Sequence, residues 1–520
     1  MANYLMAVDA GTGSVRAVIF SLDGVQMGCV QREWSHREDP RWPGSMDFDW
    51  EGCWKLTCGC IRGVLEATGI APADIAAVST TSMREGILLY DQDGNELWAC
   101  SNVDARSGAQ AAQLKQLDPN LEKEIYLRSG QTYALGALPR LLWVRDHLPQ
   151  VYERTAALGM FNDWLIRKLT GRLAVEPSNG CTTGIMDLQS RSWLPEIAAK
   201  CGLRSDIFPP VVECGTRLAA VNAKGSADTG LPEGIPVVVG GGDCQLSAIG
   251  AGACEPGQAA LFGGSFWQYE FNIDAPRPDP DCRIRVNCHA VPGLWQYEAL
   301  AFNPGLVTRW FRDGFCQNEI EEARRTGRSS YELMDERAQD IPAGCYGMQC
   351  CFSGAMNFID WRHASPTFTN FLLEPKKFNK YTFYRAILEN TALLTRSHIE
   401  LVHEAASCEP EQLIVAGGAA KSPLWSQIVA DVTGKPVTVP VVKESTALGA
   451  AILAGVGVGL YGSLGEAVKR TVKWEQTFRP NPAHKTVYDA LYDNWRRLYP
   501  AQLALCGQGV TRNMWIAPGL

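Results

Sequence analysis

One local pattern occurs twice and limits what this chain can build. Residues 4–9 are an apolar run, 10–13 a small-residue turn, 15–22 a second apolar run, and 25–34 a third after an Asp23-Gly24 turn. Much later, residues 236–239 end in Gly240-Gly241-Gly242-Asp243, residues 258–262 run into Gly263-Gly264-Ser265, and residues 266–271 return. Short β-branched and aromatic runs broken by Gly or Asp-Gly read as strands joined by tight turns. Two such units in one chain point to two similar α/β domains with a cleft between them. The 520 residues suit this reading, because a single core stops growing well below that length.

Elsewhere the period changes. Trp50, Cys53, Trp54, Ile61 and Leu65 recur near helical spacing after Asp49. Phe383, Ala386, Ile387, Asn390, Leu393, Leu394 and Leu401 keep a second helical stripe. Residues 75–79 read as a strand, Asp93-Gly94 and Pro292-Gly293 as hairpin turns, residues 412–416 as a strand entering Gly417-Gly418, and 422–433 as a helix. The polar, proline-containing stretches 274–281 and 374–380 read as surface loops. Residues 445–465 carry no charge and are long enough to span a bilayer, yet they are rich in Gly and Ala. A buried helix is the expectation there.

The net charge of −8 argues against a nucleic-acid partner, which would need a basic face. The first five residues show no basic start or long apolar core, so no secretory leader is read and a cytoplasmic location is expected. Eighteen cysteines form no zinc spacing; Cys282, Cys288 and His289 come nearest to a ligand cluster, and it is incomplete. Free, buried thiols in a reducing compartment are expected.

Four places carry residues suited to chemistry. Asp9-Ala10-Gly11-Thr12-Gly13-Ser14 sits between two strands. Its glycines let the backbone approach an anion, Thr12 and Ser14 add hydroxyls, and Asp9 is placed to hold Mg²⁺. A plain hairpin is the bland alternative. Gly417-Gly418-Ala419-Ala420-Lys421-Ser422 follows a strand and precedes a helix, which suits a nucleotide, although the Walker spacing is absent. Asp243 ends a strand beside a glycine run and is either a proton acceptor or a helix cap. Arg84-Glu85 is either a clamp for hydroxyls or a solvated surface pair.

In order along the chain, these segments resemble the FGGY family of carbohydrate kinases. The residues that carry the resemblance are 9–16, Ser82-Met83-Arg84-Glu85-Gly86, Gly241-Gly242-Asp243, Phe262-Gly263-Gly264-Ser265, residues 417–431 with Ser422, Gln427 and Asp431, and residues 444–451. Within the family the chain is most similar to the bacterial autoinducer-2 kinases. That similarity rests on Asn102-Val103-Asp104-Ala105-Arg106, Pro139-Arg140-Leu141-Leu142-Trp143, Glu176-Pro177-Ser178-Asn179, Trp310-Phe311-Arg312-Asp313 and residues 515–520.

The resemblance implies an α/β fold of two actin-like, ribonuclease H-like domains, residues 1–246 for substrate and 247–520 for nucleotide, closing over an active-site cleft. It implies ATP with Mg²⁺, and as acceptor autoinducer-2 in its linear form, 4,5-dihydroxypentane-2,3-dione, phosphorylated on its terminal hydroxyl. Asp243 is then the general base. Arg84, Glu85, Asp104, Asp243 and Gln245 bind the acceptor. Thr12, Gly13, Ser14, Gly264, Gly305, Gly418 and Ser422 contact the nucleotide, and Asp9 and Asp243 position the metal. The phosphocarrier protein HPr is the implied partner. Gly264 stands where many members have Thr, Ser422 where glycerol kinases have Asn, and Leu135 where they have a substrate-contacting Tyr. A pentulose or polyol kinase of the same family is the alternative. An ATPase switch of the actin or chaperone kind is the rival from another class.

Overall fold

The computed structural model describes residues 3–301, 303–354 and 357–520. Met1 and Ala2, part of the start read above as leaderless, lie outside the described residues. Two large sheets carry the architecture. In the first, β1 (Tyr4–Ala10), β2 (Ser14–Ser21) and β3 (Gln26–Glu33) form an antiparallel meander. β4 (Ile75–Ser82) runs parallel to β1. β5 (Arg217–Ala220) is an edge strand, antiparallel to β6 (Pro236–Gly242), which runs parallel to β4.

The second sheet repeats the plan. β7 (Ala259–Gly263) and β8 (Trp267–Ile273) form its hairpin. β9 (Arg285–Cys288) pairs with β10 (Trp295–Ala301), which pairs with β8. β11 (Leu413–Gly417) and β12 (Val437–Pro440) add parallel strands on the other side, and β13 (Trp474–Phe478) closes the edge. The doubled strand–turn–strand pattern therefore builds two sheets, each a meander flanked by parallel strands.

Continuous apolar runs are expected where both faces of a strand are covered. β1 shows this: Met6, Val8 and Ala10 pack in one core with Cys60, Ile61 and Val64, while Leu5 and Ala7 pack in another with Ala447, Ala450 and Ala451. α1 (Trp50–Thr68) packs on the first sheet, and five helices bear on the site: α2 (Asp243–Ala251), α3 (Pro304–Phe315), α4 (Lys380–Ala406), α5 (Pro423–Thr433) and α6 (Ser445–Gly457). Asp49 caps α1 by accepting from Gly52 N–H at 2.9 Å, and Gly69 ends it at φ 67°.

α2 and α6 lie between the sheets. Leu246 and Ile249 of α2 join the core under the first sheet, and its Ala248 and Ala251 join Ala260, Phe262, Ile414 and Ala416 of the second. The two helices cross nearly backbone to backbone. A β-carbon on Gly250 would meet the Ser445 carbonyl oxygen at 1.9 Å, and one on Gly449 would meet that of Leu246 at 2.0 Å. The uncharged stretch 445–465 is thus a buried interdomain helix and its continuation. Among the described residues no helix is long and apolar enough to cross a membrane.

Two parts were not anticipated. Ile87–Tyr90, Glu96–Cys100 and Ala157–Met160 form a separate three-stranded sheet with its own apolar core. Asn513–Ile516 pairs antiparallel with Arg362–Ala364, far away in sequence. All eighteen cysteines are free, and all but Cys29, Cys254 and Cys408 are buried. Cys282, Cys288 and His289 do not converge into a metal group; among the described residues that geometry occurs for Cys244, Glu270 and Glu298.

Candidate active site

Strand register brings the chemical residues to one place. Ala10 of β1 stands opposite Ser82 of β4, and Ser82 opposite Gly242 of β6. The turn after Asp9, the Arg84-Glu85 segment and Asp243 therefore leave the first sheet side by side. In the second sheet Gly263 stands opposite Gly417, so the two glycine turns also leave together. Ligands in open α/β sheets gather beyond the carboxyl ends of parallel strands.

Three cavities follow one another in the cleft. The first, about 360 Å³, is lined by Arg84, Glu85, Asp104, Asp243 and Arg285 with Leu135, Leu300, Trp515 and Ile516. The second, also about 360 Å³, is lined by Arg16, Asp243, Gly264, Gly418, Lys421 and Lys443 among others. The third, about 300 Å³, is lined by Gly305, Tyr331, Asp335, Tyr384, Ser422 and Trp425 among others. Asp243, Cys244, Phe266 and Gln268 belong to both the first and second. Gly263, Gly264, Ser265, Gly418 and Lys421 belong to both the second and third. A charged cavity, a cation-bearing middle and an aromatic end are thus joined by shared walls.

The first cavity is held by a network of buried ions. Arg84 Nη2 lies 2.5 Å from Glu298, and its Nε 3.6 Å from Asp243 Oδ1. Arg285 bonds Glu298 at 2.7 Å and Glu85 at 2.9 Å. Burial alone would raise Glu298, but the two guanidiniums hold its carboxyl below the ordinary range. Neighbouring Glu270 goes the other way, pushed well up by burial and by Glu298. Arg84 and Glu85 are 4 % and 8 % exposed, which excludes the solvated surface pair. Glu85 also adopts φ 63°, a left-handed backbone at a non-glycine residue, and such strain is found where a site over-determines it.

Asp243 is the first residue of α2. Gly242 takes the cap position and Asp243 makes no cap bond; its Oδ1 accepts from Cys244 N–H at 2.8 Å. Its side chain keeps 38 % of its accessible surface, within the cleft. Burial raises the carboxyl above its ordinary range, Arg84 pulls it back and Glu85 pushes it further up. Asp9 is pushed up to about 6, mainly by burial, with Arg16 opposing and the Asp243 charge adding. Arg16 bridges Asp9 at 3.2 Å and Glu444 at 2.5 Å.

The glycine segments approach as backbones. A β-carbon on Gly305 would lie 1.9 Å from the Gly264 carbonyl oxygen, and one on Gly263 2.3 Å from Ala419 Cβ. Gly264 N–H closes its own turn onto Phe266 O at 2.8 Å, so it is engaged within the loop. Ser422 caps α5, accepting from Trp425 N–H at 3.0 Å, and donates to Asp335 at 2.6 Å.

The sequence-derived candidates divide accordingly. Arg84, Glu85, Asp104 and Asp243 line the first cavity, with the Asp104 carboxylate paired to Arg106 and accepting from Met46 N–H. Thr12 lines that same cavity and exchanges hydrogen bonds with Asn102. Gly13 and Ser14 line none of the three, and neither does Gln245, which is fully buried with both amide atoms unpartnered. Gly264, Gly305, Gly418 and Ser422 line the third. Arg285, Asp335, Tyr331 and Tyr384 were missed. Each lies far in sequence from any glycine motif, and only the fold brings it in.

Comparison with known proteins gives the family. The N-terminal domain profile of the FGGY family of carbohydrate kinases matches residues 4–250, and its C-terminal domain profile matches residues 275–458. The chain belongs to the FGGY family of carbohydrate kinases. An autoinducer-2 kinase from Enterobacter sp. (strain 638) is 49 % identical over 519 residues, covering 100 % of this chain and 98 % of that protein. One from Photorhabdus laumondii is 48 % identical over 518 residues, covering 99 % and 98 %. Among solved structures, xylulose kinase from Rhodospirillum rubrum superposes with a TM-score of 0.84 at 25 % identity, covering 96 % of this chain and 99 % of that one. Plasmodium falciparum glycerol kinase with ADP gives 0.83 at 18 % identity, covering 96 % and 98 %. The actin-like, ribonuclease H-like two-domain fold expected of an FGGY kinase is the fold observed.

Proposed function

We propose that this kinase transfers the γ-phosphoryl group of ATP to the terminal hydroxyl of linear 4,5-dihydroxypentane-2,3-dione, autoinducer-2. One observation carries the phosphoryl-transfer reading: Asp243 forms the wall shared by the charged cavity and the cation-bearing one. A hydroxyl in the first and a phosphate in the second would meet at that carboxylate. Support for the acceptor comes from full-length relatives named autoinducer-2 kinase.

In this reading the adenosine occupies the aromatic third cavity, and the phosphates lie among Arg16, Lys421, Lys443 and the glycine turns. Arg84, Glu85 and Arg285 hold the acceptor's oxygens. Asp243 accepts the hydroxyl proton as the new O–P bond forms; a raised carboxyl suits that role at neutral pH. Most of the rate comes from in-line positioning and charge neutralisation. Asp9 and Asp243 are hard oxygen donors of the kind Mg²⁺ takes, Asp243 on the shared wall and Asp9 beside it in contact with Arg16, and a bound cation would offset the burial that opposes their ionisation. When bound, that ion would neutralise charge on the transferring phosphates.

In this reading residues 1–246 supply Arg84, Glu85 and Asp243 to the acceptor, residues 247–520 hold most of the nucleotide and also reach the acceptor cavity through Arg285 and residues 515–518, the division falls within α2, and the lobes close to exclude water. Such a kinase works in the cytoplasm, where ATP is. HPr as a docking partner rests on the resemblance and is tested by co-elution of the two purified proteins.

The deciding experiment is mass spectrometry of the product after incubation with ATP and the dione. Gain of one phosphoryl group on the dione is expected, and Asp243→Ala should abolish most of it while ATP affinity stays within a few-fold. Wild-type turnover confined to pentuloses or polyols sinks the acceptor assignment. Near-normal turnover in the variant sinks the base.

A further inference from the structure

We infer that residues 513–520 set acceptor specificity by walling the first cavity with an apolar face that receives the acceptor's methyl end. The inference rests on the acceptor reading above and adds to it a specific part of the chain.

The walls of the first cavity differ in chemistry. The wall shared with the phosphate cavity carries Asp243, Cys244, Phe266 and Gln268. Away from that wall the first cavity has a polar side, with Arg84, Glu85, Asn102, Asp104 and Arg285, and an apolar side, with Leu135, Leu300, Trp515, Ile516 and Pro518. Three of the five belong to one apolar patch. Leu300 and Ala517 sit in one apolar cluster with Phe358 and Trp361, against which Leu135 and Trp515 pack. With the acceptor's hydroxyl at Asp243 and its carbonyl oxygens on the polar side, its remaining end is left to the apolar side. The linear dione carries a methyl group there; a pentulose carries a hydroxymethyl group, which an apolar wall leaves without a hydrogen bond.

The segment is fixed on both lobes. In the second lobe His363 stands opposite Trp515 and Arg362 opposite Ile516, Ala517 N–H donates to Trp361 O at 2.9 Å, and Trp515 meets Trp361 edge-on at 4.9 Å. In the first lobe, a β-carbon on Gly519 would come 2.7 Å from Ala111 Cβ, and one on Gly108 3.4 Å from Gly519 N. Residues 513–520 thus run from one lobe to the other along the acceptor cavity. Their contribution is a wall held in place by its neighbours, and Ile516, 46 % exposed, is a part that can be changed without emptying a core.

The test compares kcat/KM for the dione and for D-xylulose in wild type, Ile516→Val and Ile516→Asn, with KM for ATP as the folding control. A misplaced polar or apolar group in such a pocket changes discrimination by roughly 10-fold to 100-fold. Ile516→Asn should lower the dione-to-xylulose ratio by about 10-fold with KM for ATP unchanged, and Ile516→Val should keep the wild-type ratio. A wild type that prefers D-xylulose overturns the acceptor assignment on which the inference stands. A wild type that prefers the dione, with the same ratio in Ile516→Asn, overturns the inference alone. A fall in the ratio that appears equally in Ile516→Val also overturns it, because the effect would then not follow polarity.

Discussion

Replacing Gly305 by alanine tests whether the nucleotide site depends on backbone meeting backbone. Gly305 lies in the first turn of α3 and lines the third cavity. Its added β-carbon would sit 1.9 Å from the Gly264 carbonyl oxygen, where ordinary contact begins near 3.4 Å. The helix and the turn must therefore part by about 1.5 Å, and neither side offers a flexible side chain to absorb it. The turn cannot yield locally, because Gly264 N–H is tied to Phe266 O. Displacing a positioning element by about 1 Å costs on the order of 100-fold in rate. Coupled ADP-release kinetics should show kcat/KM for ATP reduced about 100-fold in Gly305→Ala. Gly314→Ala in the same helix, with nothing within 4 Å of its β-carbon, should behave as wild type. Wild-type kinetics in Gly305→Ala would refute the close-approach argument.

Three further outcomes are expected. Arg84→Lys keeps the charge but loses the fork that spans Glu298 and Asp243, so kcat/KM for the acceptor should fall about 10-fold to 100-fold with KM for ATP unchanged, read in the same assay. His289, His363 and His398 are buried and pushed down to about 3 by burial, against 6.5 in an unfolded chain. The unfolded state then binds more protons, so this stability is whole above pH 6.5 and is lost as pH falls toward 3. Three such groups give a slope approaching about 4 kcal/mol per pH unit; denaturation midpoints between pH 7.5 and 5 measure it, and His398→Phe should flatten the slope. Thiol titration of the native protein should find Cys29 and Cys408 promptly and the buried thiols only on unfolding.

How much of this was legible in the sequence depends on how local the signal was. The meanders, the turn after Asp9 and the helix after Asp49 were readable because each rests on neighbours within a few positions. Asp243 stood out as a carboxylate on a glycine run, and its place in the cleft follows from strand register. Local sequence left the Arg84-Glu85 pair open between a clamp and a surface pair because its partners, Glu298 and Arg285, come from the other sheet. No local rule predicts an ion pair across 200 residues. The pairing of 513–516 with 362–364 was invisible for the same reason. Asp335 was hidden as one acid among several in a polar helix, and only its bonds to Ser422 and Tyr384 distinguish it.

The crossing of α2 and α6 has a mechanical consequence. Where Gly250 meets the Ser445 carbonyl and Gly449 meets that of Leu246, backbone touches backbone with no side chain between, and beside the contact Ser247 Oγ lies 2.5 Å from Thr446 Oγ1. Interlocked side chains resist rotation like meshed gears; a backbone contact pinned by one hydroxyl pair acts as a fulcrum. Each lobe hangs on one side of it, so a small turn at the crossing becomes a larger swing at the cleft mouth. A single methyl group added at Gly250 would act as a shim, setting the resting angle of both lobes from a point that touches no ligand.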